Sequence, residues 1–195
     1  MTGASSRLAL ALLALAATAA GCSQGSRPTA RPAAPASGAR WLRPAPAPAA
    51  WPARAIPSGA VMAYPPGWRP AAGDRGTATA VLRSPGGGFL GYLNITPRQG
   101  AETIRHWAAF RPAHNGAEGD RQVRRLASYP ALRFRTGRGA CVRDRYVTRT
   151  GARYIELACL VAGRHAATVI VGAAPPRVWA RMAPQIERAI SALTT

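Results

Sequence analysis

Two cysteines placed symmetrically about a turn signal constrain the fold of this chain most strongly. Cys141 and Cys159 each lie nine residues from Thr150, at the centre of the sequence 149–151. A three-residue hairpin loop, with Gly151 in the left-handed bulge conformation, would place Cys141 directly opposite Cys159. A two-residue loop would turn the two side chains to opposite faces of the sheet. The spacing therefore predicts two antiparallel strands of fixed register joined by a disulfide, with two buried free thiols as the alternative.

The N-terminus has the pattern of an export signal. One arginine precedes an uninterrupted run of Leu, Ala and Thr at residues 8–20, which is too short to cross a bilayer as a helix. The run ends in Ala19-Ala20-Gly21-Cys22, which is typical of a bacterial lipobox. Residues 1–21 are thus predicted to be a lipoprotein signal peptide, and Cys22 a diacylated residue that holds the protein on the outer face of the bacterial cell membrane. An ordinary secretory signal is the alternative, and disulfides persist outside the cytoplasm in either case.

Residues 22–57 are predicted to be a lipidated tether. Residues 23–57 contain eight Pro, eleven Ala and five Arg, with no acidic residue, a composition that favours extended polyproline II and resists packing. Trp41 and Trp51 stand among these arginines. They are expected to anchor at a membrane interface, to pack on the following domain or to remain in solvent.

Residues 58–195 are predicted to form an α+β domain, with an antiparallel sheet of about seven strands flanked by amphipathic helices. Pro184 is expected to kink the last helix or to divide it. The predicted strands are Ala60–Tyr64, Thr77–Arg83, Phe89–Thr96, Arg121–Leu126, Ala131–Thr136, Ala140–Thr148, Arg153–Val161 and His165–Gly172, and the predicted helices are Ala101–Arg111 and a segment from about Pro176.

The charged residues exclude several classes of enzyme. All 26 basic residues are arginines, against seven acidic ones, so the formal net charge is +19. Without lysine there is no Walker A loop, no Schiff-base lysine and no Ser-x-x-Lys acylase. The three histidines lack metal-ligand spacing, both among themselves and with the cysteines. No cofactor and no metal site are therefore predicted.

The cysteine register also places Asp144 opposite Glu156, with Tyr146 and Tyr154 on the same face. Like charges facing each other across two strands are unfavourable, so this pair needs an explanation. Two carboxylates side by side could share a proton, bind a cation or do acid–base chemistry, with either tyrosine assisting. The alternative is neutralisation by an arginine of the adjoining strand. The candidates are Arg133, Arg135 and Arg138.

Arginines concentrate in the second half of the chain. Residues 121–153 contain ten Arg and one acidic residue. Four arginines on alternating strands are expected to form a cationic stripe: Arg133, Arg135, Arg143 and Arg145. Outside a cell, such a surface would meet anionic phospholipid, acidic cell-wall polymer or an acidic protein rather than nucleic acid. The excess of Arg over Lys is also typical of coding bias in a GC-rich genome, which would leave the stripe as a solvated face.

Four segments carry a resemblance to a known family. They are Tyr64-Pro-Pro-Gly-Trp68, the stretch from Gly137 to Thr148, Arg153-Tyr154-x-Glu156-x-x-Cys159, and residues 168–175 followed by Trp179. Together they resemble secreted actinobacterial lipoproteins with a PsbP-like fold, over roughly residues 58–193. The resemblance implies an antiparallel sheet between helical layers and a binding or assembly module without a catalytic residue. The alternatives are an envelope enzyme that uses Asp144 and Glu156, and a structural spacer that binds nothing.

Overall fold

The computed structural model describes residues 39–195. Within this range the chain forms nine strands and two helices. In chain order they are β1 (Ala53–Ala55), β2 (Val61–Ala63), β3 (Arg69–Ala71), β4 (Ala78–Arg83), β5 (Phe89–Pro97), α1 (Trp107–Ala117), β6 (Arg121–Arg133), β7 (Arg138–Val147), β8 (Arg153–Val161), β9 (Thr168–Ala174) and α2 (Pro176–Ser191).

Seven of the strands form one antiparallel sheet in the order β3-β4-β5-β9-β8-β7-β6, and β1 and β2 form a separate hairpin. The central strands β8 and β9 are buried along most of their length, because both faces of the sheet are covered. Their near-continuous apolar sequence, rather than a strict alternation, is typical of that position. The predicted α+β fold class is confirmed.

The predicted hairpin between β7 and β8 is confirmed in its register. The Thr148 N–H donates to the Ala152 carbonyl at 2.8 Å, which leaves a three-residue loop, and Gly151 has φ of 88°. Only glycine adopts this left-handed conformation without strain. Cys141 pairs with Cys159 across the two strands, and the two sulfurs are bonded.

The two faces of the sheet carry different cores. On one face, α2 contributes the apolar row Met182, Ile186, Ala189 and Ile190 to the larger core, which also contains the disulfide. Gly172 of β9 lies directly beneath Ile186, where any Cβ would overlap the isoleucine side chain. On the other face, α1 covers a smaller core around Trp107.

Helix α1 begins and ends six residues later than predicted. The predicted helix ended at Arg111, and the next residue, Pro112, cannot donate a hydrogen bond to the carbonyl of Ala108. In the structure the Arg125 guanidinium donates to that carbonyl at 3.1 Å, so the helix continues through Pro112. Upstream, the Thr103 hydroxyl accepts the N–H of His106, a local turn that competes with the predicted first helical turn.

Two other prolines lie inside continuous elements, including Pro184, which does not divide the last helix. The structure has one irregular strand, β6, where two strands around Pro130 were predicted; it is an edge strand with three register shifts, and such a position tolerates proline. Helix α2 continues through Pro184 as a single element. Both Pro184 and Ala180, whose carbonyl loses its partner, lie on the exposed side of the helix, where that loss is least costly.

Residues 39–57 pack on the domain, although residues 22–57 were predicted to be a tether. Trp41 and Trp51 contact the larger core, and the Trp41 ring meets Tyr129 edge to face at 5.7 Å between centroids. The backbone N–H of Arg43 donates to the Ser191 hydroxyl at 3.2 Å, so this segment is held against the end of α2. Composition alone favoured an extended chain, whereas the burial of two indoles outweighs that preference. The predicted signal peptide, Cys22 and residues 23–38 lie outside the described residues.

Candidate functional site: a buried acid pair and a basic sheet edge

The two predicted acidic residues lie on the α1 face of the sheet. Asp144 of β7 and Glu156 of β8 are directly opposite each other, three residues from the disulfide and therefore on the other face. Both side chains are 0% exposed. Tyr146 and Tyr154 form the next pair on the same face, with ring centroids 5.9 Å apart. The predicted cluster of four residues is therefore present as a cluster.

Glu156 is held by an arginine of helix α1. The Arg111 Nε lies 2.6 Å from Oε1 of Glu156, and its second nitrogen lies 3.0 Å from Oε2, which is a bidentate pair. The Tyr146 hydroxyl donates to Oε2 at 3.1 Å, and the Tyr92 hydroxyl lies 3.5 Å from the same oxygen. The neutralising residue is thus Arg111 from the helix; Arg133, Arg135 and Arg138 of the adjoining strand do not take this role.

Burial and the ion pair shift the pKa values of Arg111, Tyr92 and Tyr146. Burial alone would lower the pKa of Arg111, but the charge and hydrogen bonds of Glu156 raise it overall. The pKa values of Tyr92 and Tyr146 are raised, first by burial and then by the Glu156 charge. All three groups therefore keep their protons at any physiological pH.

The carboxyl group of Asp144 differs from that of Glu156 in its protonation state. Its Oδ2 accepts a 3.4 Å hydrogen bond from Asn115 of α1, and Oδ1 has no partner among residues 39–195. Burial raises the pKa of Asp144, and the adjacent Glu156 charge raises it further, to about 8. At neutral pH the Asp144 side chain is therefore mostly protonated. The like-charge conflict in the sequence is thus resolved twice, by Arg111 at one carboxyl and by a proton at the other.

This arrangement limits what the pair can do chemically. Acid–base chemistry needs a carboxyl within hydrogen-bonding reach of a substrate, whereas both carboxyls here are closed off under α1. A bidentate arginine and a phenolic hydroxyl already occupy both oxygens of Glu156. The geometry is that of a structural ion pair which fixes α1 on the sheet.

One face of α1 carries Trp107, Arg111 and Asn115 at a spacing of four, and all three contact the sheet. Trp107 donates to the Ala158 carbonyl at 2.9 Å, Arg111 pairs with Glu156, and Asn115 donates to Asp144. Sequence reasoning missed Arg111 and Asn115. The i, i+4 row that begins at Trp107 was the available signal, but the predicted helix ended before Asn115.

The predicted stripe of four arginines is divided in the structure. Strand alternation and register place Arg143 and Arg145 on the α2 face of β7, and Arg143 lies close enough to Glu187 of α2 to lower its pKa against the effect of burial. Arg133 pairs with Arg138 near the other end of the strand, on the opposite face, and Arg135 lies in the turn between β6 and β7. The four side chains thus form no continuous surface.

A different group of arginines forms a basic surface. Strand β6 is one edge of the sheet, and residues 121–138, which include its turn to β7, contain six arginines and no acidic residue. All six are exposed. This surface, called the basic edge below, consists of Arg121, Arg124, Arg125, Arg133, Arg135 and Arg138.

Across residues 39–195, no three His, Cys, Asp or Glu side chains come together as a metal-binding group. Over the same range, neither helix has both the length and the apolar character that a membrane span requires.

Comparison with known proteins identifies the fold. No protein-family model and no curated protein matches the chain. The crystal structure of a protein of unknown function from Pseudomonas aeruginosa is similar, with a TM-score of 0.51 and 13% identity, over 74% of this chain and 96% of that chain. The solution structure of CyanoP, the cyanobacterial PsbP of Synechocystis, gives a TM-score of 0.52 and 13% identity, over 74% of this chain and 92% of that chain. The fold is PsbP-like.

At such identities the likeness concerns the fold alone. A further match, at a TM-score of 0.41 and 11% identity, is LpqN, which is involved in cell envelope biogenesis of Mycobacterium tuberculosis; it covers 70% of this chain and 82% of that one. The PsbP-like sheet explains why the basic edge is available for contact. Among residues 39–195, β6 has no neighbouring strand on one side, while α1 and α2 cover the two faces of the sheet.

Proposed function

We propose that this PsbP-like protein is a membrane-anchored extracytoplasmic binding or assembly module, and that its basic edge contacts an anionic component of the cell envelope. The observation that carries the proposal is the concentration of six exposed arginines, without a carboxylate among them, along one edge of the sheet. Arginine grips phosphate and carboxylate groups through paired N–H donors. The lipobox sequence before Cys22 supports the anchor and the location outside the cytoplasm.

The buried acid pair supports a binding role over a catalytic one. The enzyme hypothesis requires Asp144 and Glu156 to line an open cleft without a cationic partner. Their closure under α1 and the bidentate contact of Arg111 favour a structural role instead.

The edge position has an alternative explanation that any test must separate. Charged side chains on an edge strand hinder unwanted pairing with other strands, so arginines there can serve solubility alone. The two explanations make different predictions when arginines are removed at different positions. Solubility depends on the total charge, whereas binding depends on which arginines are removed.

The test compares two variants of equal charge. In one, four arginines of the basic edge become glutamine: Arg121, Arg124, Arg133 and Arg135. In the control, four exposed arginines at the other side of the sheet become glutamine: Arg69, Arg75, Arg83 and Arg98. Both variants are made in the mature chain from residue 22 with Cys22→Ser, so that no acyl chain contributes to binding.

Co-sedimentation with phosphatidylglycerol vesicles, phosphatidylcholine vesicles and purified cell wall is measured over a salt series. Binding to an anionic partner should weaken with salt and should fall at least tenfold in the basic-edge variant, since each arginine near an anionic surface contributes about 1 kcal/mol. The control variant should lose much less. Equal losses in both variants would refute the role of the basic edge. No binding at low salt would refute an anionic lipid or cell-wall polymer as the partner, and an acidic protein would then be sought by crosslinking.

The anchor is tested separately. Labelled palmitate should be incorporated into the wild-type chain and not into Cys22→Ala, and the variant should leave the membrane fraction. Incorporation that persists in the variant would refute lipidation at this cysteine.

A further inference from the structure

A second surface, away from the basic edge, has the properties of a ligand site. A cleft of about 510 Å³ opens at the end of the sheet where β8 and α2 begin. Its walls include Phe89, Tyr154, Arg153 and Arg177. The volume lies within the range of about 300–1,000 Å³ that is usual for small-molecule sites.

One wall of the cleft is aromatic. Phe89, the first residue of β5, meets Tyr154 of β8 edge to face, with ring centroids 5.6 Å apart. Pro175 and Pro176 at the beginning of α2 extend this apolar surface. The Tyr154 hydroxyl has no hydrogen-bond partner among the described residues, so the cleft presents an apolar wall with one free polar atom.

The other wall is cationic. Arg153 and Arg177 are exposed, and within residues 39–195 neither has a carboxylate within ion-pair distance, whereas Arg111 does. None of the seven acidic residues of the chain lines the cleft. Arg177 lies close enough to Tyr154 that its charge opposes the rise in the tyrosine pKa caused by burial. Both arginines thus line the same cleft as the aromatic wall, with no carboxylate among the lining residues.

Helix α2 begins at this cleft, and its first turn contains no acidic residue. Because Pro175 and Pro176 have no N–H to donate, the helix offers few backbone donors there. The positive character of the cleft therefore comes from Arg153 and Arg177.

From this combination we infer that the cleft binds a small organic anion, a phosphate or carboxylate carried on an acyl or aromatic body, with the anionic group on Arg153 and Arg177 and the apolar body on Phe89 and Tyr154. The site goes beyond the proposed function, because it is concave, partly apolar and separate from the basic edge. A free small molecule and a lipid still in a bilayer share this chemistry.

Chemical-shift titration of the isotope-labelled chain from residue 22, with Cys22→Ser, tests the site. The probes are dihexanoylphosphatidylglycerol below its micelle concentration, octanoate, dihexanoylphosphatidylcholine and inorganic phosphate. The two amphiphilic anions should shift the signals of Phe89, Tyr154 and Arg177. The zwitterionic lipid and inorganic phosphate should bind at least tenfold more weakly, because one lacks net charge and the other lacks an apolar body.

Two variants make the result specific. Arg177→Gln should weaken binding of the anionic probes by roughly tenfold, the usual effect of losing one charge-assisted hydrogen bond. The control Arg98→Gln, at the far end of β5, removes the same charge and should leave the affinity unchanged. Both arginines are exposed, so neither change should unfold the protein, and the shift map of the wild-type chain tests the location of the site without either variant.

Three results would overturn the inference: shifts confined to the basic edge, equal affinity for the zwitterionic lipid, or equal losses in the two variants. Vesicles of long-chain phosphatidylglycerol then distinguish the source of the anion. If Arg177→Gln weakens binding to the vesicles, the ligand is a lipid taken from the bilayer. If it weakens binding of the soluble probes only, the ligand is a free anion. The fourfold basic-edge variant should retain cleft binding, so the failure of either proposal is recognisable without the other.

Discussion

Replacing the buried Asp144 by asparagine should remove most of the pH dependence of stability between pH 5 and pH 8. The folded protein holds a proton on Asp144 up to about pH 8. In the unfolded chain an aspartate releases its proton near pH 4. Folding therefore takes up a proton throughout this window, and the free energy of unfolding must fall as the pH rises. The contribution is fully present below about pH 4 and is lost by about pH 8.

The size of the effect follows from linkage. Each pH unit inside the window changes the free energy of unfolding by up to about 1.4 kcal/mol, so the wild type should lose about 3 kcal/mol between pH 5 and pH 7 through this one residue. The asparagine of the variant cannot titrate, yet its side-chain carbonyl can still accept the hydrogen bond from Asn115. Its amide N–H groups lack a partner, which lowers the stability of the variant by about 1–3 kcal/mol at every pH and leaves the slope unaffected.

Urea denaturation followed by tryptophan fluorescence at pH 5, 6, 7 and 8 measures both profiles. The difference between wild type and Asp144→Asn should change steadily with pH in favour of the variant. The exposed Asp74→Asn serves as the control, because it makes the same substitution without burial and should run parallel to the wild type. If Asp144→Asn also runs parallel to the wild type, Asp144 is ionised in the folded protein and the explanation of the acid pair is wrong.

Three further predictions concern the framework around this pair. Arg111→Met should destabilise the protein by about 3–5 kcal/mol, because Glu156 is left buried and unpaired. The double variant Arg111→Met/Glu156→Leu should recover much of that loss. Additive losses in a double-mutant cycle would contradict the ion pair. Joint replacement of Cys141 and Cys159 by alanine should lower the free energy of unfolding by about 3 kcal/mol in the chain-entropy model. Reduction of the wild type should lower its urea midpoint to a similar extent. A midpoint that does not respond to reductant would show that the disulfide is not formed. Gly151→Ala should lower the free energy of unfolding by about 1–2 kcal/mol, and Gly151→Asn should lower it less, because asparagine tolerates the left-handed conformation better. Calorimetry measures both losses, and equal losses would mean that backbone conformation is not the cause.

The sequence predicts best those features that depend on local repeat lengths. A strand has a period of two and a hairpin loop a countable length, so the positions of Cys141, Cys159, Asp144 and Glu156 relative to one another follow directly from the chain. The structure confirms this register. It also confirms the α+β class, which depends on the alternation of apolar residues over many segments.

The partner of Glu156 could not be predicted in the same way, because it depends on a contact between distant residues. Helix α1 reaches Asn115 only where Arg125, from a later strand, satisfies the Ala108 carbonyl that Pro112 leaves free. The predicted helix ends six residues too early and therefore misses the row that Arg111 and Asn115 form on one face. The predicted arginine stripe failed because the position of the turn pairs Arg133 with Arg138, which lies five residues from Arg143 and therefore on the other face of β7.

If Cys22 is acylated as proposed, the packing of residues 39–57 on the domain also limits the distance between the folded part and the membrane. For a chain anchored at Cys22, a tether that ended at residue 57 would span 35 residues, or on the order of 100 Å when extended. With Trp41 and Trp51 docked, the sequence between the proposed anchor and the packed segment is residues 23–38, a length of chain that can span at most about 50 Å. An anchored domain would then reach lipid headgroups and polymers attached at the membrane, but not the outer layers of a thick wall.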